Sequence, residues 1–280
     1  MSLVYELRQK LSKAKIVTKA KFLRNGVDAF WWTGKKNFGD LLTPELISHY
    51  GFTPLLTTAE EAKVIGVGSL MHMLPKDYTG TLLGTGIIDN KEHRLEGATF
   101  AAVRGELSKK NLGLPQHTPT GDLGLLAKKL LTDNNAPKKF AVGLIPHFVD
   151  KSHPWIEQIM QFLGSKGCVI EVQDSATSVI NQVAQCELIV SSSLHGIIVS
   201  DALGIPNVWI KLSDKVLGDG FKFWDYNSSI NYEQPPLNVT TSTQFKDIEL
   251  NKSNKCPNTV SNKVDELDII LKNVLLQSKY

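Results

Sequence analysis

The stretch IVSSSLHGIIVSDALGIP, residues 189–206, sets an imidazole where an apolar run breaks into three serines and helical spacing begins. If a strand ends there and a helix opens near Leu194, one of Ser191, Ser192 and Ser193 can cap that helix, leaving backbone N–H groups free to receive an anion. Residues 191–194 are therefore candidate ligand contacts. His195, in the first turn, can hydrogen-bond a phosphate or act as acid or base near neutral pH. The plainer alternative is a half-buried histidine satisfied by a backbone carbonyl. Arg104 closes the run TFAAVRG (99–105) just before a helical segment at Glu106. Its planar fork suits a carboxylate or phosphate, or it pairs with Glu106 at the surface. Asn37, Gly39 and Asp40 lie in the loop GKKNFGD (34–40). There Gly39 permits close backbone approach, and Asp40 either caps a helix or accepts a hydrogen bond from a substrate hydroxyl. His147, after FAVGLIP (140–146), occupies another strand exit, and His72 a similar place.

The elements that must hold these residues follow from the apolar runs. VDAFWWT (27–33), AKVIGVGSL (62–70), TLLGTGI (81–87) and TFAAVRG (99–105) are short, apolar and end in turn residues. Such runs read as strands buried on both faces of a parallel sheet. A linker-like LTDNNAPKK (131–139) precedes a second series: FAVGLIPH (140–147), a helix over about 154–166, CVIEVQ (168–173), a helix from Ser175 to about Gln185, ELIVSSS (187–193), the helix near Leu194 and NVWIKLS (207–213). The fold class is thus α/β, with two doubly wound, Rossmann-like halves, and ligands are expected outside the carboxyl ends of the strands, in a cleft where the halves face each other. Residues 214–257 read as irregular, with the aromatic cluster GDGFKFWDYN (218–227) as a core element and the best local platform for a saccharide ring. A helix over about 259–277 carries Val264, Leu267, Ile270, Leu271 and Val274 on one face. The boundaries predicted are a basic amphipathic helix at 1–25, one domain at 26–134, another at 135–257 and a packing helix at 258–280.

Composition narrows the function classes. A net charge of +3 over 280 residues argues against a nucleic-acid partner. Basic residues crowd the first 25 positions, where Leu3, Leu7 and Leu11 form a stripe, so residues 1–24 either dock on the body or touch a lipid surface. No membrane span or secretory leader is expected, which predicts a cytoplasmic protein. The three cysteines, Cys168, Cys186 and Cys256, lack metal-binding spacing and are expected to be reduced and mostly buried. No histidine pattern supports a metal, and His49, His93, His117 and His153 suit the surface.

SSSLHGIIVSDALGIPNVWI is similar to the C-terminal signature of the polysaccharide pyruvyl transferase family, in which an R-L-H or S-L-H triplet opens a helix that ends at G-x-P. NFGDLLTPEL (37–46) resembles that family's N-x-G-D loop, VIGVGSL (64–70) its second strand and glycine turn, AAVRGELSKKNLG (101–113) its V-R-[DG]-x-x-S segment, and TGDLGLLA (120–127) its G-D-x-x-L element. The resemblance implies a GT-B-like arrangement, acceptor side first and donor side second. It also implies transfer of a pyruvate ketal from phosphoenolpyruvate to a sugar of a surface polysaccharide or its lipid-linked precursor, with no cofactor and no metal. Such an enzyme would work at the inner face of the membrane, with residues 1–24 as a peripheral contact. By the same resemblance His195 gives a proton or holds the phosphate, with Asp40 beside it in catalysis, while Arg104, Asn37, Gly39, Ser191, Ser192, Ser193, Leu194 and His147 bind substrate. Many members carry arginine where Ser193 stands, so Lys211, Lys215 or Lys222 is expected to supply the missing charge. Two other functions fit the same architecture: a glycosyltransferase using a nucleotide sugar, and a non-catalytic carbohydrate-binding protein.

Overall fold

The computed structural model describes residues 16–18, 22 and 24–279. Within that range the chain folds around two parallel sheets of five strands each. In the first, β1 (Gly26–Phe30), β2 (Thr53–Leu56), β3 (Val64–Ile65), β4 (Thr81–Leu83) and β5 (Thr99–Ala102) lie in the order β2-β1-β3-β4-β5. In the second, β6 (Phe140–Ile145), β7 (Gly167–Val169), β8 (Cys186–Ser191), β9 (Asn207–Lys211) and β10 (Leu237–Asn238) lie in the order β10-β9-β8-β6-β7. The two orders are the same pattern. In each sheet the chain reverses its direction of winding beside the first strand, between β1 and β3 and between β6 and β8, and such switch points open a crevice at the carboxyl edge.

Alternation along the strands explains why both faces are covered. Leu188 and Val190 of β8 point into one core with Trp155, Ile156, Ile159 and Leu163 of helix α3 (Pro154–Leu163), whereas Ile189 points into the other. That second core is shared by both sheets. It joins Val27 and Ala29 of β1, Phe38, Leu42 and Leu46 of α1 (Phe38–His49), Val179 and Val183 of α4 (Ala176–Ala184), and Ile197 and Ile198 of α5 (Leu194–Ala202). Each such aliphatic side chain, fully buried, is worth about 1.5–3 kcal/mol, so the halves meet through a dry apolar seam. The C-terminal helix α8 (Pro257–Ser278) closes it with Leu267, Leu271, Val274 and Leu275. Val264 and Ile270, expected on the same face, pack partly buried at its margin.

Several expectations are corrected. β2 was not foreseen: it is a four-residue edge strand carrying Pro54, whose missing N–H an edge tolerates. Of CVIEVQ only Cys168 and Val169 belong to the strand, which ends there. Residues 214–257 are not irregular: they hold α6 (Phe221–Ser229), β10 and α7 (Phe245–Leu250). Of the cysteines only Cys186 is buried; Cys168 is half-buried and Cys256 exposed. His93 and His153 are half-buried, and the Nδ1 of His153 caps α3 by accepting the Trp155 N–H. The basic segment at 1–24 lies almost wholly outside the described residues, of which Ile16–Thr18 and Phe22 are helical. No helix among the described residues is long and apolar enough to cross a membrane.

Arg104 is the largest correction. It does not face the cleft: its side chain is 0% exposed and every arm of the fork is used by protein. Nε donates to Asp225 Oδ2 at 2.8 Å, one terminal nitrogen to Ser69 Oγ at 2.6 Å and the other to the Ile87 carbonyl at 2.6 Å. Asp225, on α6, also accepts from the N–H and hydroxyl of Ser108 at 2.7 and 2.6 Å. A side chain at Gly105 would collide with the Asp225 carbonyl, so the residue between Arg104 and α2 (Glu106–Asn111) must be glycine for α6 to dock. Removing the carboxylate would strand a buried guanidinium, at a cost of about 3–5 kcal/mol. Asp225→Ala is therefore expected to lose that much stability in urea unfolding; a midpoint within error of the wild type would contradict the clamp.

Candidate active site

The two switch points face each other across a cleft of about 370 Å³. From the first half it receives Trp32, Lys35, Asn37 and Asp40 after β1, and Gly68, Ser69 and His72 after β3. From the second come His147 and Phe148 after β6, Ser193, Leu194 and His195 after β8, and Lys222 on α6. Every one of these residues follows a strand, as the parallel topology requires.

The serine turn is built differently from the expectation. Ser191 Oγ accepts the Ser193 N–H at 3.0 Å and lies 2.9 Å from the Ile145 carbonyl. Ser192 Oγ accepts the His147 N–H at 2.9 Å and donates to Asp150 Oδ2 at 3.1 Å. Both hydroxyls hold the turn and are not free for a ligand. Ser193 takes the N-cap position of α5 but makes no side-chain cap bond. The N–H groups of Leu194 and His195 find no protein acceptor among the described residues, so of the four predicted contacts Ser193 and Leu194 remain at the cleft. A helix start of this kind attracts an anion.

His195 is 7% exposed, on a helix buried nearly all round. Its Nε2 is sealed from solvent without a hydrogen-bond partner and stands 4.0 Å from Asp122 Oδ2, itself sealed and unpartnered. The ring edge at Nδ1 lies against the backbone of Gly39, where any Cβ would overlap it. Gly39 is thus needed for the histidine, and the expectation that it contacts substrate is replaced by that closer reason. Asn37 caps α1, its Oδ1 accepting the Gly39 N–H at 3.1 Å, which frees Asp40 from capping duty.

Electrostatics follows from the crowding. Burial, helped by Lys222, Arg104 and His147, lowers the His195 pKa to about 3. Burial with Lys222 and Lys35 takes His147 down to about 4. Asp40 is half-buried by surface, yet its carboxyl is enclosed closely enough for desolvation to raise it to about 7, against the pull of Lys222. Lys222, desolvated and repelled by Arg104, falls to about 8. Of the three lysines considered, Lys222 lines the cleft, whereas Lys211 pairs with Asp214 and Asp219, and Lys215 lies outside the cleft lining. The aromatic cluster is mainly core: Phe221, Phe223 and Tyr226 are buried, and Phe223 stacks on Trp209.

A profile described as polysaccharide pyruvyl transferase matches residues 2–214. The chain belongs to that family. It is 26% identical over 227 residues to the succinoglycan biosynthesis protein ExoV of Rhizobium meliloti, covering 77% of this chain and 68% of the relative. It is 31% identical over 175 residues to an uncharacterized protein of Acanthamoeba polyphaga mimivirus, covering 60% of each. The alignment thus spans less than two thirds of the viral relative's length.

For a pyruvyl transferase family member, the structure also brings forward residues that sequence reasoning passed over. In sequence Asp122 stands only within the TGDLGLLA motif, and its capping of the 3-10 helix Leu123–Leu130 hides its second oxygen's approach to His195. Trp32, 39% exposed, and Lys35, whose Nζ lies 4.1 Å above the Phe148 ring, line the mouth. No group of three metal-ligating side chains occurs among the described residues.

The pKa values give the cleft a defined pH response. Between about pH 6 and pH 9 Asp40 gains its negative charge and Lys222 loses its positive one. Sulfate, of constant charge in this range, is expected to bind progressively more weakly as pH rises, by calorimetry. Lys222→Ala should weaken binding and flatten the upper part of the profile. A profile flat in the wild type would contradict this charge assignment.

Proposed function

We propose that this protein builds a pyruvate ketal on a saccharide, taking the three-carbon unit from phosphoenolpyruvate. The observation that carries the reading is the convergence, in one cleft, of the uncapped start of α5, Lys222, His195 and Asp40. The donor bears a phosphate and a carboxylate, and the helix start with Lys222 suits such an anion. Proton transfer to C3 leaves an oxocarbenium-like centre at C2, which one sugar hydroxyl attacks. Loss of phosphate regenerates such a centre for the second hydroxyl. Two protons leave the hydroxyls, one balancing the proton on C3 and the other leaving with phosphate; this balance calls for no cofactor.

In this scheme His195, neutral in the empty cleft, gains basicity when the donor's negative charge arrives, and either passes the C3 proton or holds the phosphate. Asp40, poised near neutrality, takes a proton from the acceptor hydroxyl on the first-half side. Asn37 and His147 flank the same space. Arg104 acts through Ser69 and α6. We assign the halves a GT-B-like arrangement, with acceptor on residues 26–134 and donor on 135–257. The rhizobial relative is named for succinoglycan biosynthesis, and we assign this chain an acceptor of that broad class, a surface polysaccharide or its lipid-linked precursor, met at the inner membrane face with help from residues 1–24.

Phosphate release from phosphoenolpyruvate in the presence of saccharide acceptors tests the reading, with nucleotide sugars run in parallel. Acceptor-dependent release is expected, and His195→Gln should reduce it by about 10²–10⁴ while unfolding as the wild type does. Turnover of a nucleotide sugar with phosphoenolpyruvate untouched would replace this function with glycosyl transfer.

A further inference from the structure

Two buried polar atoms that face each other without partners need a reason. Among the described residues His195 Nε2 and Asp122 Oδ2 are such a pair, 4.0 Å apart, with Asp122 0% exposed. The other oxygen of Asp122 has ordinary work: Oδ1 accepts the Gly124 N–H at 2.8 Å and caps the 3-10 helix. That helix packs hard on α5, Gly124 lying against Ile198, so the two side chains belong to elements held in fixed register. Capping accounts for one oxygen and leaves the second aimed at the imidazole. A sealed, unsatisfied acceptor and a sealed ring nitrogen each carry a desolvation penalty, and one proton on Nε2 directed at Oδ2 relieves both.

We propose that Asp122 is the positioning partner of His195, accepting the Nε2–H on Oδ2 and so leaving Nδ1, beside Gly39, as the nitrogen that serves the cleft. The separation is about 1 Å longer than a hydrogen bond, and such contacts in unliganded sites commonly tighten when substrate arrives. Asp122 then does two things: it selects the tautomer, and it stabilises the imidazolium when His195 carries a second proton. The charged and titratable groups around the pair are Lys222 on α6, Arg104 after β5, His147 after β6, Asp40 on α1 and Asp225 on α6. The cations among them oppose a charged His195, and Asp122, with Oδ2 4.0 Å from Nε2, is the carboxylate placed to offset them. Burial raises Asp122 to about 6, tempered by its Gly124 bond and Arg104, which keeps it ionised at and above neutral pH.

The proposal rests on His195 being the working residue of the proposed reaction, and its test is chosen to stand apart from turnover. Asp122→Asn keeps the Oδ1 acceptor for Gly124 and replaces Oδ2 with an N–H donor, which forces Nε2 to accept and moves the proton to Nδ1. With ¹⁵N-labelled full-length protein at about pH 8, the His195 ring is expected to be protonated at Nε2 in the wild type and at Nδ1 in the variant. In the donor assay the variant should lose about 10²–10⁴ in kcat, with the donor KM changed less than threefold. A wild-type ring protonated at Nδ1 overturns the proposal, and this reading needs no folded variant. A folded variant with wild-type kcat overturns it as well. If no substrate is turned over by any form, the proposed function fails while the tautomer measurement still decides the pairing.

Discussion

A guanidinium and a carboxylate, both fully buried and drawn from different halves of the chain, set the geometry on which the cleft depends. Burying an ion pair yields little net stability against apolar packing, but breaking one is costly, so its effect is to admit one docking of α6 and penalise the rest. Arg104 reaches three places with one planar fork: Ser69 at the cleft wall, the Ile87 carbonyl and Asp225. Lys222 sits one helical turn before Asp225, so the anchor that fixes the helix also fixes the cation. The V-R-G-x-x-S pattern then has a physical reading within this chain, since Arg104 and Ser108 converge on the same carboxylate. The Phe38 N–H donating to the Val172 carbonyl at 2.8 Å ties the halves again, at the start of α1.

Around that frame the cleft is arranged for a charge that must arrive from outside. His195 and His147 are held neutral by burial and by cations, and Lys222 is held near its own midpoint. An anionic ligand offsets the desolvation of each, raising the proton affinity of all three together. Binding of an anion in this cleft is thereby coupled to uptake of a proton.

Much of this was legible in the sequence. Short apolar runs ending in turn residues mark the strands of both parallel sheets, and the rule that ligands gather at strand exits points to His195, His147 and Asp40 as neighbours of one cleft. What was not legible depended on partners distant in the chain. Arg104 looks like an anion ligand until Asp225, 121 residues away, is seen to occupy it. α6 reads as irregular because FKFWDYNSS has weak helical patterning, and it is tertiary docking that holds it. Ser191 and Ser192 have the right chemistry for a ligand and are consumed by the turn they build. Asp122 shows in sequence only a capping residue, because the second use of its carboxylate is a matter of packing.

In the proposed reaction the uncapped start of α5, opposite Asp40, receives the donor. A crystal structure of the full chain with phosphoenolpyruvate tests it most directly. The phosphate is expected on the N–H groups of Leu194 and His195, with Lys222 in contact and the C3 carbon turned toward the imidazole. Donor density elsewhere, for instance beside Lys128 and Lys255 at the far end of α5, would contradict the account.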